Sequence, residues 1–308
     1  MRPKSSRLNW AFGTALLSAV LLCGLAWSLA ATGAITRESG TQSPASTGQP
    51  PVALPSPSPV PLPANLSIPR YTPGVAPFHD GQVLVYKGSW EGIPAGEARI
   101  KIAHSKPDPA LWIGEMWLWS SALVDPVYRM RDYFSEDFAY TSWQPIKINI
   151  FQNEKQRRDH WIATFDRPRA LITTVKTNKA GHVTVRHFSG GDPWGPFSGA
   201  MMALSQPLTP GQSYTFDVFS GGNRYVFSFA VEGREQITTS LGAFNALRIA
   251  PAVIWLSDKS FRSQASYTTL YVSDDARHLP LRLESAVFIG SVVVDLTQVV
   301  DGDQPSSQ

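Results

Sequence analysis

The sequence predicts an all-β domain, a single antiparallel, strongly curved sheet or (half-)barrel with a short helix, held behind one N-terminal transmembrane helix. Three observations carry this. Residues 8–36 form 29 consecutive positions without a charge, enough for the roughly 20 apolar residues that a helix needs to cross a bilayer. Eleven of the 25 prolines then crowd between Gln42 and Pro77. Beyond them, short runs alternate polar and apolar residues at even spacing, the period of strands with one wet face.

The apolar segment has two fates. Arg2, Lys4 and Arg7 precede it and only Arg37 follows closely, so positive-inside bias puts the N-terminus in the cytoplasm and the rest of the chain outside. A signal core of 7 to 15 residues would suit cleavage; this run exceeds that and favours an uncleaved anchor in residues 1–36. The alternative is release to the periplasm after cleavage near Ala34. Cys23, the only cysteine, has apolar neighbours on both sides and reads as a small hydrophobe in a bilayer helix, not a lipid-attachment site.

Residues 37–77, with Pro55, Pro57, Pro59, Pro61 and Pro63 at alternate positions, cannot bury enough apolar surface to fold. They read as a disordered, extended spacer. The folded unit is expected over 78–301, with 302–308 as a disordered tail. Strands are expected at Val83 to Tyr86, Glu97 to Ile102, Lys147 to Phe151, His160 to Phe165, Phe244 to Ile249, Tyr267 to Val272, Leu281 to Phe288 and Ser291 to Val299. One hairpin joins Leu171–Lys176 to His182–Phe188. A second joins Tyr214–Val218 to Tyr225–Val231 across Ser220-Gly221-Gly222-Asn223. Phe197 to Ser205, between Pro196 and Pro207, reads as the short helix. Gly92-Ile93-Pro94-Ala95-Gly96 and Ser273 to His278 read as turns.

Composition excludes several functions. From Phe78 onward there are 22 Lys and Arg against 23 Asp and Glu, a net of −1, so no electrostatic case exists for nucleic acid. The six histidines show no metal-ligand spacing, and neither a metal nor a cofactor is expected. Gly195-Pro196-Phe197-Ser198-Gly199 is one residue out of register for a serine nucleophile elbow. Asp132, Glu136 and Asp137 beside Arg129 and Arg131 read as solvated turn charges; a cation site or a catalytic carboxylate pair is the functional alternative. Lys155, Arg157 and Arg158 with Arg167 and Arg169 suggest a basic rim facing anionic lipid headgroups, or simply exposed loop charges. No catalytic residues are assigned, and the chain is expected not to be an enzyme.

The aromatic load is heavy: Trp112, Trp117, Trp119, Trp143, Trp161, Trp194 and Trp255 among many Phe and Tyr. Such side chains fill a core or line a concave apolar pocket. On the pocket reading Tyr214, Phe216, Tyr225, Phe227 and Phe229 form the lining, and Met201 and Met202 face it from a helical lid. Three functions are open: a membrane-tethered binder of a lipid or other apolar ligand, a solid-cored module that contacts another envelope component, or a hydrolase acting on envelope polymers. The third would need clustered carboxylates or histidines that the sequence does not display.

Several blocks resemble one family. They are Phe78-His79-Asp80-Gly81-Gln82-Val83-Leu84-Val85-Tyr86, Trp90 to Ala98, Gly242-Ala243-Phe244-Asn245-Ala246, and Leu270 to Pro280 with Gly290 and Leu296 beyond. Together they are similar to the bacterial domain of unknown function family 3108. The resemblance implies an exported antiparallel β fold akin to the half-barrels that carry lipoproteins and lipids across the periplasm, and implies no catalytic residue.

Overall fold

The computed structural model describes residues 58–59, 68–155, 157–255, 268–286 and 290–301. The expected membrane segment, most of the spacer and the tail lie outside these. Among the described residues no helix is long and apolar enough to cross a membrane.

The domain is one sheet made of two antiparallel meanders. The first runs through β2 (Gln82–Trp90), β3 (Ile93–His104), β4 (Leu111–Ser120), β5 (Arg131–Ala139), β6 (Pro145–Glu154), β7 (Arg157–Asp166), β8 (Leu171–Thr177) and β9 (Val183–Ser189). The second comprises β10 (Ser213–Ser220), β11 (Asn223–Thr239), β12 (Gly242–Trp255), β13 (Thr268–Ser273), β14 (Pro280–Ala286) and β15 (Ser291–Val300). The last strand, β15, pairs with β2 and joins the meanders. A two-residue strand β1 (Ser58–Pro59) lies parallel against β9. The sheet ends at β1 and β10 and does not close by hydrogen bonds. Register shifts at Gly88/Ser89, Asp137/Phe138, Val231/Gly233, Tyr271/Val272 and Leu296/Gln298 supply bulges, which bend and twist strands and let the sheet curl.

Most expected strands fall inside observed ones as far as the described residues reach. Two strands went unrecognised. In β4, apolar side chains occupy both faces, with Trp112, Met116 and Leu118 buried and Ile113, Trp117 and Trp119 partly exposed, so no alternation shows. In β5 the inward positions carry Asp132 and Glu136 beside Phe134 and Phe138. That is a correction: these acids are not solvated turn charges but sit on the buried face of a strand. The expected turn over Gly92–Gly96 is also shorter. Glu91 and Gly92, with φ of 49° and 77°, make a two-residue reversal of the kind that suits hairpin twist, and Ile93, Pro94 and Ala95 already belong to β3.

The sheet rolls over its own end. Phe219 of β10 meets Phe188 and Phe165 edge-on, at ring separations of 5.1 and 6.0 Å, although those residues lie on β9 and β7. At the tip of the β10–β11 hairpin, a Cβ on Gly222 would come within 2.8 Å of the Trp161 ring of β7, so glycine permits the approach as well as the turn's φ of 78°. The hairpin tip therefore lies under β7–β9. Among the described residues two helices complete the unit: α1 (Asp125–Tyr128), a single turn between β4 and β5, and α2 (Pro196–Leu204), which carries the chain from β9 to β10.

Candidate functional site

The concave interior is where a ligand would have to bind, and α2 occupies it. All nine residues of α2 are buried, and the helix packs against β5 and β10. Proline at its start fits a position that needs no N–H donor, and small residues at Gly199, Ala200 and Ala203 let it lie close to its neighbours.

Both ends of α2 are held by side chains distant in sequence. At the N-terminus, Glu136 of β5 accepts the backbone N–H of Phe197 at 2.7 Å and of Ser198 at 3.2 Å. These are free donors of the first turn, where a carboxylate also meets the positive end of the helix dipole. At the C-terminus, His278 Nδ1 lies 2.6 Å from the Leu204 carbonyl oxygen and donates to it. The close approach at the N-terminus depends on two glycines. A Cβ on Gly114, the cross-strand partner of Glu136, would lie 2.5 Å from the Phe197 ring, and one on Gly195 would collide with the Glu136 carboxylate.

Glu136 is fully buried, and burial raises its pKa to about 7, with the Ser198 and Phe197 donors offsetting part of the rise and Asp137 adding to it. A second buried acid lies further along the same face. Burial, then the Glu154 carboxylate, pushes Asp132 well above the usual range, while the Asn153 N–H donates to it at 2.7 Å. Tyr128 donates to Glu154 at 2.6 Å. Next to these, Asp159 of β7 binds Arg157 at 2.7 Å and Lys176 at 3.0 Å, and the Lys176 ammonium sits 4.7 Å from the centre of the Trp161 ring. Asp159 is doubly paired, whereas Asp132 Oδ2 is buried without a hydrogen-bond partner, and among the described residues no three His, Cys, Asp or Glu side chains gather as a metal site.

The expected pocket residues are brought together and buried in the core cluster. Tyr214, Phe216, Tyr225, Phe227 and Phe229 are each at most 8% exposed, and Met201 and Met202 are wholly buried. Tyr214 and Phe216 stack on Phe229 at 5.1 and 6.1 Å. A cavity between α2 and the β10–β11 hairpin, lined by Pro196, Gly199, Ala200, Phe216, Tyr225 and Phe227, measures about 10 Å³, room for about one water. All of α2 is buried, and Met201 and Met202 belong to the hydrophobic core cluster.

The proposed basic rim divides. Lys155 and Arg157 flank the β6–β7 turn while Arg167 and Arg169 follow the other end of β7, and ten residues of strand span roughly 33 Å. Arg157 pairs with Asp159, Arg167 with Asp192 and Arg169 with Asp166. Sequence reasoning missed the clasp at the rolled edge, where Arg224 binds Asp217 through Nε at 2.7 Å and Nη2 at 2.5 Å and donates to the Gly190 carbonyl at 3.1 Å. Its signal was a charged pair on otherwise apolar strands. The convex face carries a row of register-matched aromatics, Trp117, Tyr133, Phe151 and His160 on β4 to β7, of which Phe151 is exposed.

A family model described as "Protein of unknown function (DUF3108)" matches residues 85–297. No curated protein matches the chain. Among solved structures, a β-barrel-like protein of domain of unknown function DUF1849 from Brucella abortus is similar at 9% identity and a TM-score of 0.50, covering 76% of this chain and 100% of that one. A protein provisionally described as exported, with a YmcC-like fold, from Bacteroides fragilis covers 74% of this chain and 100% of its own at 10% identity and a TM-score of 0.30. A protein provisionally described as a lipoprotein, from Parabacteroides distasonis, covers 75% and 100% at 10% identity and a TM-score of 0.29. The first of these shares the barrel-like fold.

Proposed function

We propose that this chain, which belongs to the DUF3108 family, is a non-enzymatic protein of the bacterial envelope that works as an interaction module through its outer surface, the solid interior serving to hold that surface rigid. The observation that supports this reading most is the complete burial of α2 within the rolled sheet, beside a cavity of about 10 Å³ between α2 and the β10–β11 hairpin. A drug-sized ligand needs a cleft of several hundred Å³. The outward row Trp117, Tyr133, Phe151 and His160 supplies aromatic contact area of the kind enriched at protein interfaces. The uncharged segment 8–36 and the basic residues before it support tethering to the inner membrane, with the domain in the periplasm.

The rival reading, binding of a lipid or other apolar ligand, requires α2 to leave the interior, breaking its bonds to Glu136 and His278. Native mass spectrometry of the purified domain and titration with a fluorescent fatty acid separate the two. The interaction module carries no co-purified lipid and binds no probe, and Phe151→Asp weakens cross-linking to an envelope partner without altering the fold. Retained lipid, lost on Met201→Asp in a folded protein, would establish the rival instead.

A further inference from the structure

A large apolar side chain left singly in water needs no explanation, but three of them meet at adjoining loop tips at one end of the strands. Ile93, at the start of β3, is 46% exposed, Leu123, between β4 and α1, is 68% exposed, and Val127 on α1 is 47% exposed. Hydrogen bonds tie these tips into one rim. Ser121 donates its N–H to the Ala95 carbonyl at 2.9 Å and its hydroxyl to the Pro94 carbonyl at 2.7 Å, so the β2–β3 reversal and the β4–α1 link lie side by side. Lys155 Nζ donates to the Val127 carbonyl at 2.8 Å, which brings in the β6–β7 turn. None of the residues of α1 is buried, so core packing does not account for the apolar choice at Val127.

The charges around the tips are mainly cationic. Arg131 and Arg157 are taken up by Asp125 and Asp159 at 2.6 and 2.7 Å, and Glu154 accepts from the Tyr128 hydroxyl. The exposed charges that remain at the rim are Arg129, Lys155 and Arg158 against Glu91, whose carboxylate accepts from Ser291. Just behind the tips, Trp119 stands on the outer face of β4 with the Arg99 guanidinium 5.3 Å from its ring centre. The loops at the other end of these strands, 105–110, 140–144 and 167–170, contain no Val, Ile, Leu or Met. There Arg167 and Arg169 pair with Asp192 and Asp166.

We infer that the rim formed by Ile93, Leu123 and Val127, with Arg129, Lys155 and Arg158 around them, docks on a bilayer surface that carries anionic headgroups. The aliphatic tips enter the boundary between headgroups and acyl chains, the cations meet the phosphates, and Trp119 lies at the interface level that tryptophan favours. Composition separates this partner from a protein. Protein interfaces concentrate aromatic residues and Arg and are poor in Lys, Leu and Val, whereas aliphatic side chains flanked by Lys and Arg are the make-up of segments that lie on membranes. The rim shares no residue with the row Trp117, Tyr133, Phe151 and His160, so the inference stands apart from the reading above.

The full-length chain, reconstituted at one copy per lipid nanodisc, tests this. Cys23→Ser leaves an introduced Ala122→Cys as the single site for an environment-sensitive fluorophore and keeps all three aliphatic tips. In discs that contain phosphatidylglycerol the label is expected to shift to shorter wavelength and to be quenched by a nitroxide on the acyl chains. A label at Ala110→Cys, at the opposite end of the strands, is expected to report water in the same discs. The ratio of docked to free rim should fall about fivefold for each of Arg129→Gln, Lys155→Gln and Arg158→Gln, and about tenfold for Leu123→Ser. Discs of phosphatidylcholine alone should weaken docking in the unaltered rim, which keeps the test independent of how any variant folds. A label at position 122 that stays in water in the anionic discs would overturn the inference, as would equal quenching at both positions or equal shielding in the two lipid compositions. Shielding that appears only when a second copy or another envelope protein is added would assign the rim to a protein contact instead.

Discussion

Glu136 combines three conditions that rarely coincide: full burial, two backbone donors from a helix N-terminus, and no cationic partner among the groups that set its pKa. Solvent exclusion outweighs the donors, so its pKa in the folded state stands near 7, above the unfolded value of 4.5. A group raised on folding stabilises the native state below its unfolded pKa, and that contribution is lost as pH rises through the folded pKa. Stability should therefore fall as pH is raised from about 4.5 to about 7, by an amount on the order of 3 kcal/mol from this residue, and Asp132, raised for the same reason, adds to the slope. Glu136→Gln should lower stability at pH 5 by about 1–2 kcal/mol, since its amide can accept only one of the two N–H groups, while flattening the dependence between pH 5 and 7. Urea titrations at fixed pH values measure both effects. An unchanged slope in the variant would mean that the carboxylate is ionised throughout.

At the scale of elements, α2 was legible as a helix from Pro196, the small residues and the closing proline, but its burial was not. Its nine residues carry no charge, which is equally the signature of a lid and of a core helix. What decides between them are contacts with Gly114, Glu136 and His278, 60 or more positions away in sequence for all but the helix itself. The same distance effect hid β5: acids on its inward face look like turn residues until the helix N-terminus they serve is in place. By contrast, the β10–β11 hairpin was plain, since its glycine turn and its alternating aromatics are local signals. The fit of Phe197 over Gly114 gives a direct test. Gly114→Ala should cost about 1–3 kcal/mol by overpacking and Phe197→Leu a similar amount through lost volume, but the double variant should cost less than the sum, because the smaller side chain vacates the space that the new methyl enters. Additive costs in thermal or urea unfolding would show that α2 does not seat on Gly114. The edge clasp predicts a larger effect: Asp217→Ala leaves the Arg224 guanidinium, buried at 3% exposure, without its carboxylate. This should cost roughly 3–5 kcal/mol, read as a lower urea midpoint.

Across the whole molecule the sheet is finished by segments that are not part of its two meanders. The β9 edge meets Ser58 and Pro59. The opposite edge, β10, meets residues that the sequence assigned to the spacer: Tyr71 stacks on Phe216 at 4.5 Å, and its hydroxyl oxygen accepts the Thr215 N–H at 3.1 Å. Close by, the Gly74 N–H donates to Ser205 Oγ at 3.3 Å and Gln206 donates to the Thr72 carbonyl at 3.4 Å, tying the same stretch to the end of α2. These contacts lead us to expect that the folded unit begins before residue 78. Two fragments distinguish the boundaries, one starting at residue 68 and one at residue 78, both ending at 301. The shorter loses a stacked aromatic pair, worth about 0.5–1.5 kcal/mol beyond its buried area, and uncovers one face of Phe216 together with an edge N–H. It should unfold at a lower urea concentration, by about 2 kcal/mol in all. Both fragments should unfold in one transition because the hydrophobic cluster is continuous from Phe78 to Leu296. Tyr71→Ala in the longer fragment should reproduce most of the loss, since the ring supplies both the stacking and the acceptor. Equal stability of the two fragments would return the boundary to residue 78 and reduce the contacts of Tyr71 to a resting position of the spacer.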